Sequence, residues 1–259
     1  MFNFNGGPGG GGNPNRGFFN PFNSNQGSGQ GYGETRGWVN PALQGAISIP
    51  EKVMGLTCLL AACAIGGVAL GYAGLNTQLS GAYLIWLVAM IVLVIATQAL
   101  ADRPVINIVL FLAFGVVTGL VISPLMQALA QVGDQYIVYE ALGATAAVTG
   151  GVTIYARTTS RDFSRMGGWL FGALLGVVVA MVIGLFVHST AFQIFISSAA
   201  CVLFSLFLLY DIQRVSMTRY GSQGSAIRLA LRVYLDIFNL FLNLLTILMM
   251  TQGGGGNRR

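Results

Sequence analysis

The chain has 259 residues, of which 54% are hydrophobic and 8% charged, and its formal net charge is +5. A water-soluble domain carries about 25% charged residues, so a water-covered surface is excluded for most of the chain and a bilayer-embedded one is expected. The basic residues are scattered at the ends of apolar segments with no Lys/Arg-rich run, which argues against a nucleic-acid partner.

In chain order, residues 1–48 come first as a low-complexity tail rich in Gly and Asn. The tail has no apolar run, so it is expected to be neither a signal peptide nor an anchor. It cannot bury enough surface to offset its ordering entropy, and a disordered cytoplasmic tail is the expectation. Asn20-Pro21-Phe22 within it is read as a chance tripeptide. The transmembrane domain is expected over 49–251, with 252–259 as a second, short flexible tail.

Seven apolar segments follow the first tail, at about 53–73, 82–101, 105–128, 136–156, 169–187, 192–212 and 229–250. Each is close to the ~20 residues that a helix needs to cross ~30 Å of hydrocarbon. Barrel strands alternate apolar and polar residues. These runs do not, so the expected class is an all-α polytopic membrane protein with seven transmembrane helices. Cys58, Cys63 and Cys201 all lie inside apolar segments. An odd number of such cysteines argues against a disulfide framework. Gly67 and Gly71 in the first segment, and Gly168, Gly172 and Gly176 in the fifth, have the spacing that lets helix backbones approach closely. Pro124 is expected to kink the third helix near its outer end.

Loop charge gives the orientation. With the N-terminus inside, the inner segments hold Arg16, Arg36, Lys52, Arg103, Arg157, Arg161, Arg165, Arg214, Arg219 and Arg228. The outer loops hold no Lys or Arg, only Asp134 and His188, and Arg258 and Arg259 alone fall outside. This asymmetry satisfies the positive-inside rule and favours an odd number of crossings. A bacterial inner membrane is expected, with the N-terminus cytoplasmic and the C-terminus outside.

The last segment carries the clearest polar pattern. Arg228, Arg232, Asp236, Asn239, Asn243 and Thr246 fall within an arc of about 80° at ~100° per residue. A narrow polar stripe on an otherwise apolar helix should face the bundle interior. The seventh helix is therefore expected to be central, its stripe lining a polar path or cavity. Asp211 and Asp236 lie at similar shallow depth on the cytoplasmic side, on helices joined by a short connection. Charges in hydrocarbon are rare and mark ion paths or proton relays. Two buried carboxylates in contact do not both stay ionised; they share a proton and titrate as a unit. Such a pair suits a proton-sensitive gate, a weak calcium or other cation site, or acid–base catalysis. Its bland counterpart is two interface salt bridges, Asp236 with Arg232 and Asp211 with Arg214. Glu140, Asn239 and Asn243 are candidate steps along the path.

The stretches Leu209-Tyr210-Asp211-Ile212-Gln213 and Tyr234-Leu235-Asp236-Ile237-Phe238-Asn239-Leu240-Phe241-Leu242, with Tyr139-Glu140-Ala141 in the fourth segment, closely resemble the signature of the Bax-inhibitor-motif family, Bax inhibitor-1 and its bacterial relatives. The resemblance covers about residues 50–250. It implies a seven-helix bundle with a central last helix and, in a bacterial-type member, a pH-dependent calcium leak. It implies that Asp211 and Asp236 are the pH-sensing pair at the cytoplasmic mouth. An arginine at the cytoplasmic end of the second helix is implied as their partner, for which Arg103 is the candidate here; Arg232 is the other candidate. Some relatives carry an acid inside the second helix, whereas 83–98 here contains none.

A retinal photoreceptor would need a lysine in the last helix, and the only lysine is Lys52. An intramembrane aspartyl protease would need a Gly-rich approach to its second aspartate, which Tyr234-Leu235-Asp236 is not. The expectation is therefore a non-enzymatic cation leak without a resident cofactor, working in the lipid bilayer on cations and protons. The alternative is a non-transporting regulator that acts on a membrane-protein partner such as a protease or stress-response protein.

Overall fold

The computed structural model describes residues 49–75, 83–100, 103–184, 186–187, 189–218 and 223–252. Both tails, with Asn20-Pro21-Phe22, and the loop residues Asp102, His188 and Arg219 lie outside the described residues. The described chain is helical, in the order α1 (Ile49–Leu70), α2 (Tyr83–Ala99), α3 (Pro104–Gln131), α4 (Tyr136–Thr158), α5 (Gly167–Gly184), α6 (Thr190–Met217) and α7 (Gln223–Gln252). No strand occurs among the described residues. A membrane leaves a chain of this composition little else, because helices satisfy every backbone group internally.

Six of these helices are long and apolar enough to cross a membrane; α2, with 17 residues, is the shorter apolar one. The polarity of the bundle is inside-out. Trp169, Phe171, Val105, Ile85, Ile95 and Phe186 are exposed, while Asp211, Gln213, Asp236 and Asn243 are buried. A monomer in water does not carry so much exposed apolar surface. This is an integral, multi-pass membrane protein.

The helix ends follow from local chemistry. Pro104 occupies the first turn of α3, where a missing N–H is harmless. The Ser189 hydroxyl caps α6 by accepting from the Phe192 N–H. At the far end of α1 the chain makes one π turn, Gly71–Leu75, and leaves through Gly74 at φ 98°, a left-handed conformation that glycine adopts without strain. The Gln127 side chain of α3 donates to the Gly71 carbonyl at 3.0 Å and ties this turn down. Pro124 does not end α3, which stays helical to Gln131. The Ser123 hydroxyl donates to the Leu120 carbonyl at 3.1 Å, the acceptor that a proline at 124 leaves without its helical N–H.

The two expected glycine rows behave differently. A Cβ on Gly67 would overlap the Val116 carbonyl, and one on Gly119 would overlap the Ala64 carbonyl, so α1 and α3 meet backbone to backbone. Gly168, Gly172 and Gly176 of α5 meet nothing within 4 Å. The α5 row is therefore no packing seam of the bundle, because that face of the helix points away from its neighbours.

The last helix is central. It packs against α6, α4, α1 and α3. It also begins earlier than the apolar run suggested, at Gln223 rather than near 229. Ala226, Ile227, Ala230 and Leu231 are almost fully buried among α1, α3 and α6, so small and aliphatic packing extends the helix past the point where hydropathy fades. By contrast α5 packs on α6 and makes no extended contact with α7.

Candidate functional site

The connection between α6 and α7 spans only 218–222, so the two helices run antiparallel and pack along their length. Asp211 is six residues from the end of α6 and Asp236 is well inside α7. They are 4% and 7% exposed, and their carboxyl groups meet in a side-chain hydrogen bond. A carboxylate can only accept, so this bond holds when one of the two carries a proton. Asp236 Oδ2 is fully enclosed by the protein. Two enclosed carboxyl groups in contact keep one proton between them or draw in a counter-charge.

The pair forms the polar end of a cavity of about 580 Å³ between α5, α6 and α7. Arg232, Asp236 and Asn239 line its α7 side. The Asn239 amide donates to the Leu235 carbonyl at 2.8 Å, which leaves its carbonyl oxygen as an acceptor. Arg232, one turn toward the start of α7, is exposed and acts on both carboxyl groups as the nearby positive charge; Arg214 acts on Asp211 as well.

The other expected site residues lie elsewhere. Asn243 is buried, donates to the Asn239 carbonyl at 2.8 Å and is not part of the cavity wall. Thr246 likewise bonds back to Leu242. Glu140 sits in the second turn of α4, at the opposite end of the bundle, where its carboxylate accepts from the Gln252 amide at 2.8 Å. Arg103 is exposed at the N-cap of α3. The structure thus brings together Asp211, Asp236, Arg232 and Asn239, and separates Glu140 from them.

Sequence reasoning missed the strap on the other side of α6. Gln213 is buried; its amide donates to the Arg161 carbonyl at 2.6 Å, and its carbonyl oxygen accepts from the Phe163 N–H at 2.8 Å. One side chain therefore holds the α4–α5 connection against the end of α6. The same connection is ordered by Asp162, which accepts from the Ser164 N–H at 2.8 Å; this bond holds its carboxyl below the usual carboxylate range. Tyr210 packs on Gly167 at the start of α5, where a Cβ would stand 2.9 Å from its hydroxyl. The sequence did carry a signal: Gln213 is a polar residue inside a helix, two positions from Asp211.

These features define a class: a polytopic helical membrane protein whose central last helix shares a buried aspartate pair with its neighbour. The family model described as "Inhibitor of apoptosis-promoting Bax1" matches residues 51–253, and the chain belongs to that family. Among relatives, an uncharacterized protein of Helicobacter pylori (strain J99) is 34% identical over 63% of this chain and 70% of its own length. An uncharacterized membrane protein of Vibrio cholerae is 39% identical over 43% of this chain and 49% of its own length. A "Golgi anti-apoptotic protein" of Vaccinia virus (strain Lister) is 28% identical over 78% of this chain and 85% of its own.

Proposed function

We propose that the chain is a pH-sensitive cation leak gated by the Asp211–Asp236 pair, with calcium as the ion carried rather than a resident cofactor, and with no enzymatic activity. The observation that supports this most is the contact of two buried carboxyl groups, Asp211 and Asp236, at the end of a cavity. At low pH the shared proton ties α6 to α7 and closes the mouth. At higher pH the proton leaves, the two carboxylates repel, and they attract a cation in its place. Calcium takes 6–8 oxygen ligands. Among the described residues no third His, Cys, Asp or Glu joins the pair, so most ligands would be water. Binding would be weak and transient, as conduction requires.

Seven crossings belong to this proposal. At ~1.5 Å per residue α2 spans about 26 Å, within the range of tilted or slightly short transmembrane helices. The cytoplasmic N-terminus rests on the positions of Arg103, Arg157, Arg161, Arg165 and Arg214, and the bacterial inner membrane on the bacterial relatives. One observation favours a second function: a relative carries the name "Golgi anti-apoptotic protein", which suits a regulator acting on a protein partner.

One experiment separates the two. The purified chain is reconstituted in liposomes, and calcium entry is followed from about pH 5 to about pH 8 for the native sequence, Asp211→Asn and Asp236→Asn. The expected result is a flux that rises with pH in the native chain and ignores pH in both variants. Absence of flux at every pH from folded, inserted native protein would overturn the leak and leave the regulator.

A further inference from the structure

The cavity that holds the acidic pair does not run down the bundle axis; it opens sideways. Its far wall is α5, from Gly167 to Met181, about 21 Å of helix at ~1.5 Å per residue. That is longer than one leaflet's share of the ~30 Å hydrocarbon core. The wall is apolar: Phe171, Leu174 and Val178 from α5 face Phe204 from α6. Phe171 and Val178 are 59% and 47% exposed, so the cleft is continuous with the lipid-facing surface of the protein. It stays open because α5 leans on α6 alone, without extended contact to α7.

The polar end of this apolar slot sets two carboxyl groups, Asp211 and Asp236, against one guanidinium, Arg232, with Tyr210 and Asn239 beside them. With both carboxyl groups ionised this lining carries one more negative charge than positive, and one N–H of the Asn239 amide is held by the Leu235 carbonyl. Arg232 stands a turn nearer the mouth and is exposed. A small hydrated ion would find water ligands at the mouth but none along the walls. A molecule with an ammonium head and a single hydrocarbon tail matches both halves at once. Its positive charge balances the carboxylate that Arg232 leaves uncompensated, and its tail lies along α5 and α6 where a lipid tail would otherwise lie.

We propose that the α5–α7 cleft is a binding site for single-chain amphipathic amines, with the ammonium on Asp236 and Asp211 and the tail between Leu174, Val178 and Phe204. This rests on the pair accepting a cation, as in the proposed function, but not on transport. Tail burial by itself gives no selectivity in a bilayer, because the surrounding lipid is equally apolar. Selectivity comes from the charged hydrogen bonds at the head.

The test uses the full chain in nanodiscs of neutral lipid, with radiolabelled dodecylamine as the probe and empty nanodiscs as the blank. Saturable binding is expected, weakened about tenfold or more by Asp236→Asn and, independently, by Val178→Trp, which fills the cleft from a lipid-facing position. Ile154→Trp, on the exposed face of α4, should leave binding unchanged, and dodecanol should show no saturable component. Non-saturable uptake, equal binding by dodecanol, or equal binding by the native chain, Asp236→Asn and Val178→Trp would overturn the proposal. Flux that needs both aspartates, without saturable amine binding, would remove this site and leave the gate. Saturable binding without flux at any pH would do the reverse.

Discussion

Along α1 and α3, Gly67 and Gly119 bring two backbones so close that no Cβ fits between them, while Gly168, Gly172 and Gly176 of α5 face open space. Gly67 with Gly71, Gly115 with Gly119, and the α5 glycines all have four-residue spacing, and all lie in or at the end of apolar helices. What differs is the neighbour. The α1–α3 contact holds Phe111, Phe114 and Leu60 fully buried around the seam, whereas α5 has α6 on one side and the cleft on the other. Spacing therefore shows that a close approach is available, and only the partner surface decides whether it is used. The polar groups follow the same division. Asp211, Asp236 and Asn239 border the loosely packed side of α7; Tyr234, two residues from Asp236, turns to the tight side and meets Phe114 edge-on at a centroid distance of 5.9 Å.

The same side chain placed at the α1–α3 seam and on α5 should have very different effects. Gly119→Leu should cost about 3 kcal/mol or more, because a backbone-to-backbone contact cannot yield as a side chain can, and the thermal transition in detergent should fall or vanish. Gly172→Leu should stay within about 0.5 kcal/mol. Equal losses would show that α5 is buried by something the bundle itself does not provide.

A smaller effect is expected at the strap. Gln213→Leu leaves the Arg161 carbonyl and the Phe163 N–H without their partner, at about 1–3 kcal/mol. Trypsin should then cut at Arg161 and Arg165 faster than in the native chain, because the α4–α5 connection is released from α6. Unchanged cleavage would mean that the connection is held by Tyr210 and Gly167 instead.

The smallest effect belongs to the far end of α7. Gln252→Ala removes an exposed hydrogen bond to Glu140, so stability should move by no more than about 1 kcal/mol. The pH response of calcium flux should be untouched, which sets this end apart from the aspartate end. A shifted pH response would tie Glu140 to the gate despite its distance from it.

Much of this was legible in the sequence. The apolar run lengths gave the helices, and the 3.6-residue period of Asp236, Asn239 and Asn243 marked α7 as central. A short connection, expected over about 215–226, made Asp211 and Asp236 neighbours. The fate of each polar residue was not legible. A period shows which residues share a face, but Asn243 and Thr246 bond back to their own helix while Asp236 meets Asp211 on α6. Nor does a one-dimensional pattern show that α5 stands off α7, since that depends on how α5 docks on α6. The first turns of α7 were invisible to hydropathy because they carry Gly224, Ser225 and Arg228 among their small and apolar residues. They are helical through burial of Ala226, Ile227 and Ala230.

In the proposed function, one proton held between Asp211 and Asp236 controls the leak. Infrared spectroscopy of the protonated-carboxyl stretch, recorded on reconstituted protein as pH is raised, tests it most directly. The expected result is a band that disappears over the same pH interval in which calcium flux opens, and that is missing from both Asp211→Asn and Asp236→Asn. A band that survives in both variants, or one that titrates where flux does not change, would contradict it.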